Sequence, residues 1–312
     1  MAHDLVTELL QYSSLACFMP IWQLCANLLI PNCLRSNLSY FPLAALELYV
    51  NISKAKVLFT KHGMSGYNED VYNYLQCRKF EQDETNSKID YMVFVTHALY
   101  ESWIGKYGQP KAKCYCIPNS YDETCYFFKE KTNTRDLGKI VLVTVGSVYK
   151  LKGQLRVVKA IASSANKNKF KYICIGNGKE ENIDLLKKEA SDLAVDLDFL
   201  GPKSPQEIRE ILLMSDFMIL PSSYEGFGLV FLESLACGVP VILPKFLPIV
   251  KEKGIINESN SLLLQDESIT SIKNVLNNLK PEIFIHANIA SEIKVLSWNS
   301  VVKQYLKILQ NE

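Results

Sequence analysis

The chain has 312 residues, of which 48% are hydrophobic, and its 34 basic and 33 acidic side chains leave a formal net charge of +1. A hydrophobic fraction of this size excludes a largely disordered chain, and the length favours two domains over a single core. Because the charge is balanced, nothing indicates a nucleic-acid partner or a strongly anionic target.

The N-terminal stretch 9–34 contains no charged residue. A transmembrane helix needs about 20 mostly apolar residues in succession. Here Pro20, Gln23, Asn27 and Pro31 interrupt the run, and no basic residue flanks it on the C-terminal side before Arg35. We therefore expect buried core or peripheral contact with a membrane surface rather than a membrane-spanning helix.

The nine cysteines are scattered along a chain in which no secretory signal pattern is recognised. Cys114 and Cys116 are two residues apart, but no second cysteine pair stands at the spacing of a zinc site. We therefore predict reduced, buried thiols in a cytoplasmic protein, with no metal and no cofactor.

The first half of the chain alternates strand-like and helix-like patterns. The apolar runs at 55–60, 91–96 and 113–118 predict strands, with helices between them. The polar, charged segment 129–139 follows these elements and predicts a linker. A domain boundary is therefore expected inside this segment.

The second half repeats the alternation more regularly. Strands are predicted at 140–145, 172–175, 197–200, 217–220 and 240–243, and helices at 154–165, at 181–190, after the Ser204–Pro205 start signal, from Gly228 or Leu229, and after a Ser297 cap. Strands that alternate with helices in this way predict a parallel sheet covered on both faces.

The fourth of these strands leads into "SSYEGFGLVFLESLACGVPVI", residues 222–242. Glu225 precedes the turn Gly226–Gly228, and a helix that begins there has free N–H groups that favour an anion. Glu233 follows inside the helix, about 7.5 Å further along its axis. Carboxylates accept hydrogen bonds from vicinal hydroxyls, so the segment indicates a nucleotide-sugar, which carries a diphosphate between two diols.

A structural explanation of the two glutamates is also open. Glu225 could simply favour the helix start, and Glu233 could be a half-buried residue paired with a lysine. The spacing alone does not decide between binding and structure.

Two further loops carry related patterns. In "VGSVYKLKGQ" (145–154), Lys152 stands at a helix start, where an ammonium group can neutralise a diphosphate, and Lys150 is a second candidate. The alternative is that both are solvated loop lysines. The third loop, "GNG" at 176–178, lacks the last glycine of a dinucleotide fingerprint and is weak evidence for NAD.

The motifs "VGSVYKLKG", "GNG", "DFLG" and "SDFMILPSSYEGFGLVFLESLACGVPVI" occur in this order. Together they resemble the nucleotide-sugar domain of the GT-B retaining glycosyltransferases, group 1 (family four). The resemblance covers residues 140–312 and extends more weakly into the first half through "VLFTKHG", "YMVFVTHALYESWIGKYG" and "CIPNSYDETCYF".

The fold implied by the resemblance is α/β, with two Rossmann-like, doubly wound parallel-sheet domains facing a cleft. Residues 1–135 would form the N-terminal acceptor-side domain and residues 136–312 the nucleotide-sugar domain. The last helix is a candidate to pack back on the first domain. The family begins with a strand and a glycine-rich loop that "MAHDLVTELLQY" does not provide, so a shortened N-terminal domain is expected.

The resemblance also implies roles for single residues. Glu225 would contact the hydroxyls of the transferred sugar, Lys152 the diphosphate and Glu233 the ribose. His62, in "KHG", would lie near the reacting sugar. The implied catalytic residues are thus Glu225, Lys152 and His62, and the donor-binding residues are Gly146, Ser147, Lys150, Gly176, Gly178, Gly226, Phe227, Gly228, Leu229 and Glu233.

Two positions in the second half depart from the family pattern. The family usually has an arginine where this chain has Ser147, so one forked positive group is missing; either Lys150 replaces it or the site is weaker. The usual Gly-Gly after "GVPV" and its strand is replaced by "PKFLP".

The expected function is that of a retaining, metal-independent glycosyltransferase acting on a nucleotide-diphospho-sugar donor. The expected acceptor is a glycan or a lipid-linked sugar, reached in the cytoplasm or at the inner membrane face through peripheral contact. The alternative is a non-catalytic nucleotide-sugar-binding protein or a glycosyltransferase partner subunit. An NAD-dependent oxidoreductase is disfavoured because its fingerprint is incomplete.

Overall fold

The computed structural model describes residues 58–61, 90–130 and 138–310. They fall into two compact units divided between Pro118 and Asn119. His62 and the uncharged stretch 9–34 lie outside the described residues. Within the described ranges, no helix combines the length and apolar character needed to cross a bilayer.

The segment 119–130 belongs to the second unit, although the sequence predicts the boundary at 135/136. It is held there by contacts close to the last helix. Tyr121 forms a parallel bridge with Ser297, and the Glu123 carboxylate accepts hydrogen bonds from the N–H of Trp298 at 3.0 Å and the N–H of Asn299 at 3.2 Å. Partners this distant in sequence leave no local pattern from which the boundary could be read.

The described residues of the first unit include a three-stranded parallel sheet of order β1–β2–β3. In chain order, the described elements of this unit are β1 (Leu58–Lys61), β2 (Tyr91–Phe94), α1 (His97–Tyr107) and β3 (Lys113–Cys116). β2 is shorter than predicted because Thr96 caps α1: its hydroxyl accepts a hydrogen bond from the Leu99 N–H at 3.0 Å. Trp103 of α1 is fully buried, with its ring 6.0 Å from that of Phe94. This contact anchors the helix on the sheet.

The second unit is built on a six-stranded sheet in which every pairing is parallel. Its strands are β4 (Ile140–Val145), β5 (Phe170–Ile175), β6 (Leu197–Gly201), β7 (Phe217–Ile219), β8 (Val241–Pro244) and β9 (Ser261–Leu264). Its helices are α2 (Gln154–Ser163), α3 (Glu180–Asp192), α4 (Pro205–Leu213), α5 (Leu229–Ala236), α6 (Pro248–Lys251), α7 (Ile269–Asn277), α8 (His286–Glu292) and α9 (Trp298–Gln310). The predicted parallel α/β sheet is confirmed.

Local signals set several of these helix starts. Ser204 and Glu207 form a reciprocal capping box at the start of α4, followed by Pro205 in the first turn. α5 begins at Leu229, as predicted, because Gly228 adopts a left-handed conformation with φ of 84° that an ordinary residue would resist.

The strand order of the second unit is β6–β5–β4–β7–β8–β9. The chain starts at the centre of the sheet with β4, adds β5 and β6 on one side, and then returns to add β7, β8 and β9 on the other. β4 and β7 are therefore neighbours, paired at Leu142–Phe217 and Val143–Met218. In an open α/β sheet, the crevice at such a reversal of strand order is where ligands bind. The loops that follow β4 and β7 leave the sheet at this point.

Candidate functional site

Three loops meet at the carboxyl ends of the central strands of the second unit. We refer to them as the β4 loop (146–153), the β5 loop (176–179) and the β7 loop (220–228). The sequence-predicted site residues Gly146, Ser147, Lys150 and Lys152 lie in the β4 loop, Gly176 and Gly178 in the β5 loop, and Glu225, Gly226, Phe227 and Gly228 in the β7 loop, while Leu229 and Glu233 lie in α5.

The β4 loop is fixed to its neighbours through backbone atoms. The Gly146 N–H donates to the Ile175 carbonyl at 2.9 Å. The Gln154 side chain, 1% exposed at the start of α2, donates to the Ser147 carbonyl at 2.9 Å and to the Gly146 carbonyl at 3.4 Å. Gln154 was not among the predicted site residues, yet it fixes the first two residues of this loop.

The two glycines of the β5 loop are required by the β4 loop beside them. A Cβ atom on Gly176 would lie 2.1 Å from the Gly146 carbonyl oxygen, and one on Gly178 would lie 2.8 Å from the Val148 carbonyl oxygen. The Val148 N–H also donates to the Asn177 carbonyl at 2.6 Å. The "GNG" sequence therefore allows close packing of the two loops.

Asn177 is a site residue that the sequence reasoning missed. Its side-chain oxygen accepts a hydrogen bond from the Ser147 hydroxyl at 2.9 Å, so the residue in the position of the family's usual arginine is held by an uncharged partner. The available signal was the position of Asn177 between two glycines directly after a strand.

The β7 loop places the start of α5 at the same edge of the sheet. Gly228 packs so closely that a Cβ atom would lie 2.6 Å from the Phe231 ring. The first N–H groups of a helix have no intrahelical acceptor, and here they follow a turn of half-buried glycines. Phe227 is 3% exposed and anchors the turn, whereas Leu229 is 44% exposed. The arrangement provides backbone donors for an anion.

An ion pair joins the β4 and β7 loops across the reversal in strand order. The Lys152 ammonium lies 2.6 Å from a carboxylate oxygen of Glu225, and the Glu225 side chain is only 9% exposed. Lys152 is therefore more than a solvated loop lysine. Lys150, by contrast, is exposed, and no carboxylate of the described residues pairs with it.

Glu233 lies one turn inside α5; part of the residue is exposed, but its carboxyl group is surrounded by protein atoms. Its carboxylate has no hydrogen-bond or ion-pair partner among the described residues, so the lysine pairing considered above is not observed there. Burial raises its pKa from the ordinary 4.5 to about 7. A buried carboxyl group without a partner is destabilising, and hydroxyl groups of a ligand could supply the missing donors.

The chemistry of the remaining titratable groups is unremarkable for catalysis. No cluster of three or more histidine, cysteine or carboxylate side chains suited to a metal occurs among the described residues. Burial raises the pKa of the Cys174 and Cys237 thiols to about 12, which makes both poor nucleophiles. A separate cavity of about 410 Å³ lies against Tyr121, Phe128 and Lys294 and contains none of the predicted donor-binding residues.

The doubly wound sheet, with its ion pair and helix start at the strand reversal, defines an open α/β fold, a class in which ligands generally bind at such an edge. The model of the family described as glycosyl transferases group 1 matches residues 127–282, half of the chain. This range includes all three loops. The chain therefore belongs to the glycosyl transferase group 1 family.

Relatives in sequence carry glycosyltransferase names. N-acetyl-alpha-D-glucosaminyl L-malate synthase of Bacillus anthracis is 27% identical over 198 residues, which cover 61% of this chain and 49% of that protein. D-inositol 3-phosphate glycosyltransferase of Corynebacterium jeikeium is 30% identical over 125 residues, covering 36% and 30% of the two chains. The chain thus spans about half the length of the first relative and less of the second.

The fold is that of the GT-B glycosyltransferases. The crystal structure of Anabaena HepE in complex with UDP and glucose matches with a TM-score of 0.72 at 16% identity, covering 86% of this chain and 76% of that one.

Proposed function

We propose that this chain is a glycosyltransferase that binds a nucleotide-diphospho-sugar at the three loops. The observation that carries the proposal is the ion pair between Lys152 and Glu225, next to the start of α5. A donor of this class presents an anion and hydroxyl groups side by side. The anion matches Lys152 and the helix N–H groups, and the sugar hydroxyls match Glu225.

In the proposed reaction, the bond from the anomeric carbon to the diphosphate breaks and a bond to an acceptor oxygen forms with retention. The acceptor's hydroxyl proton passes to the departing diphosphate. Lys152 and the amides of residues 227–229 stabilise the negative charge that develops on this leaving group, which is electrostatic catalysis by fixed groups. No metal is needed for this role, because the ammonium and the amides supply the positive charge.

Glu233 is proposed to accept hydrogen bonds from the ribose hydroxyls. Its carboxylate has no partner among the described residues, and its pKa near 7 means that much of it is protonated at neutral pH. Hydrogen bonds from a ribose diol would favour the ionised form and lower this pKa. His62 keeps its proposed place near the reacting sugar, and it lies outside the described residues.

The acceptor is proposed to be a glycan or a lipid-linked sugar, reached in the cytoplasm or by peripheral contact with the inner membrane face. The two sequence relatives are named for smaller polar compounds, L-malate and D-inositol 3-phosphate. Both kinds of acceptor therefore belong in an activity screen.

The test is a panel of UDP-, GDP- and ADP-sugars. Binding is measured by thermal shift, since a ligand at 100 times its Kd stabilises by about 2.7 kcal/mol. Transfer and donor hydrolysis are then measured for each donor that binds. UDP-glucose is tried first, because HepE was crystallised with UDP and glucose. We expect one nucleotide class to bind and to be turned over.

Two other results would redirect the proposal. Binding without turnover on any acceptor would support the non-catalytic binding protein or partner subunit. A fluorescence change on adding NADH, with no response to any sugar nucleotide, would support the oxidoreductase and overturn the proposal.

A further inference from the structure

Arg156 lies on the first turns of α2 and reaches both the β4 loop and the β7 loop. Its Nη1 donates to the Lys150 carbonyl at 3.1 Å. Its Nη2 lies 2.7 Å from the Pro221 carbonyl, 3.2 Å from the Ser223 hydroxyl and 3.4 Å from the Leu151 carbonyl. One planar guanidinium thus connects four acceptors that come from two separate chain segments.

The acceptors lie one to four residues before the two residues of the ion pair. Leu151 is the neighbour of Lys152, and Ser223 lies two residues before Glu225. The Leu151 carbonyl additionally accepts the Ser223 N–H at 2.7 Å. The backbone of one loop is therefore fixed against the backbone of the other at the point where each delivers its charged side chain.

Gly153 provides the space for this connection. A Cβ atom at this position would lie 2.7 Å from Arg156 Nη2 and 2.7 Å from the Pro221 carbonyl oxygen. The φ of Gly153 is 82°, which also favours glycine. The close approach of the two loops and the guanidinium between them are thus parts of one packing arrangement.

Arginine suits this position better than lysine. The hydrogen-bond acceptors of Arg156 are all uncharged oxygens. An ammonium group could direct its donors at some of them but lacks the fixed fork that spans both segments. Burial lowers the pKa of Arg156, and the charge of Glu267 acts against this effect.

We infer that Arg156 is a positioning residue that holds the β4 loop against the β7 loop and thereby sets Lys152 against Glu225. Its importance for catalysis rests on the proposed function, because Lys152 must act on a donor for its position to affect a rate. The effect on the ion pair itself does not depend on any substrate.

The first experiment measures the ion pair without a substrate. The folded protein is treated briefly with an amine-acylating reagent, and labelling of Lys152 relative to Lys150 is read by mass spectrometry. In R156Q the ratio should rise about fivefold, the factor that loss of a modest ion pair would give. E225Q removes the partner of Lys152 directly and should raise the ratio at least as much.

The chain offers a matched control for the loss of an arginine. Arg209 of α4 also donates to a backbone carbonyl, that of Cys125 at 3.4 Å, and its guanidinium lies over the Phe127 ring. R209Q should leave the Lys152 to Lys150 ratio unchanged. An unchanged ratio in folded R156Q would overturn the inference. If R156Q does not fold, R156K is labelled instead, with position 156 resolved by fragment masses.

The second experiment uses donor kinetics. R156Q should lower kcat/KM for the donor by about tenfold to a hundredfold, the cost of misplacing a catalytic group by a fraction of an ångström to an ångström. In the K152M background it should cause little further loss, because Arg156 acts through Lys152. R209Q should have the same small effect in both backgrounds. Equal losses from R156Q with and without K152M would show a merely structural role.

The two proposals fail in different ways. If the parent protein binds and turns over no sugar nucleotide, the proposed function fails, and the labelling ratio still decides whether Arg156 positions Lys152. If transfer occurs but the ratio is insensitive to R156Q, the positioning role fails alone.

Discussion

The two ends of α5 differ in how completely their polar groups are satisfied. At the C-terminal end, the Ser234 hydroxyl donates to the Val239 carbonyl at 3.0 Å, and the Gly238 carbonyl lies 2.7 Å from Nδ1 of His286. At the N-terminal end, helix N–H groups follow a glycine turn, and one turn further along, the Glu233 carboxylate has no hydrogen-bond or ion-pair partner in the described parts of the chain. One helix thus combines a closed structural end with an end suited to a ligand.

The largest expected effect is at the closed end. Gly238 has a φ of 77°, and a Cβ atom would lie 2.6 Å from the His286 carbonyl oxygen. G238A should therefore lower the free energy of unfolding by about 3–4 kcal/mol, from left-handed strain plus overpacking. Urea denaturation measures the change.

Gly254 supplies the control for this variant. It has a φ of 80°, and a Cβ atom there would meet nothing within 4 Å, so G254A should cost only about 1 kcal/mol of strain. Equal losses in the two variants would mean that the closed end is not tightly packed.

The next effect is at the ligand end, where K152M removes the ammonium group proposed to neutralise the diphosphate. We expect kcat/KM for the donor to fall by about 100-fold to 1,000-fold, roughly 3–4 kcal/mol of leaving-group stabilisation. K150M, in the same loop, is the matched control and should change the rate by less than about tenfold, as expected of an exposed lysine. Equal losses would mean that the ion-paired lysine has no special role.

A smaller effect concerns stability and pH. The pKa of Glu233 is about 7 in the folded protein against an ordinary 4.5, because burial disfavours its charged form. An acid with a raised folded-state pKa destabilises the fold as it ionises, so stability should fall by roughly 1–3 kcal/mol between about pH 4.5 and pH 7 and then level off.

E233Q should remove this part of the pH dependence and raise the stability of the ligand-free protein above pH 7, as measured by urea denaturation at a series of pH values. E258Q, at an exposed position, is the control and should leave the pH profile as it is in the parent. A parent-like profile in E233Q would show that another group produces the dependence.

The smallest effects separate the two glutamates by ligand. E233A should lower the affinity for the free nucleoside diphosphate and for the intact donor alike, by about tenfold, because the hydrogen bonds to the ribose are lost. E225A should weaken the binding of the intact donor but not that of the free nucleotide. It removes the partner of the sugar hydroxyls, whereas Lys152, freed from its ion pair, still binds the diphosphate. Titration calorimetry measures both ligands. Parent-like nucleotide binding in both variants would refute the role given to Glu233.

Much of this site was accessible from the sequence because its signals are local. The glycine turn and apolar periodicity predicted the start of α5, and the E-x7-E spacing, with the family resemblance, marked Glu225 and Glu233 as candidates. Each of these features depends on residues close together in the chain, where steric rules and helix geometry are decisive.

The contacts that complete the site were not accessible in the same way. Lys152 and Glu225 are 73 residues apart, and their pairing depends on β4 and β7 being neighbours, which no periodicity encodes. The arginine that ties their loops together looks like an ordinary polar residue of an amphipathic helix. β9 was also missed, because "SLLL" is a short apolar run that fits a strand or a buried helix equally well.

The hydrogen bonds from the start of α9 to Glu123 have a consequence for the order of folding. The donor at Asn299 and its acceptor are 176 residues apart, so this contact closes a loop that contains the whole six-stranded sheet. Contacts of such high sequence separation form late, because the entropy of loop closure opposes them until the intervening chain has folded. During synthesis, segment 119–130 emerges early, and its hydrogen bonds to the start of α9 can form only after that helix has been made. Until then, Tyr121 and Glu123 lack these partners, and the nascent unit depends on its other contacts for protection from aggregation.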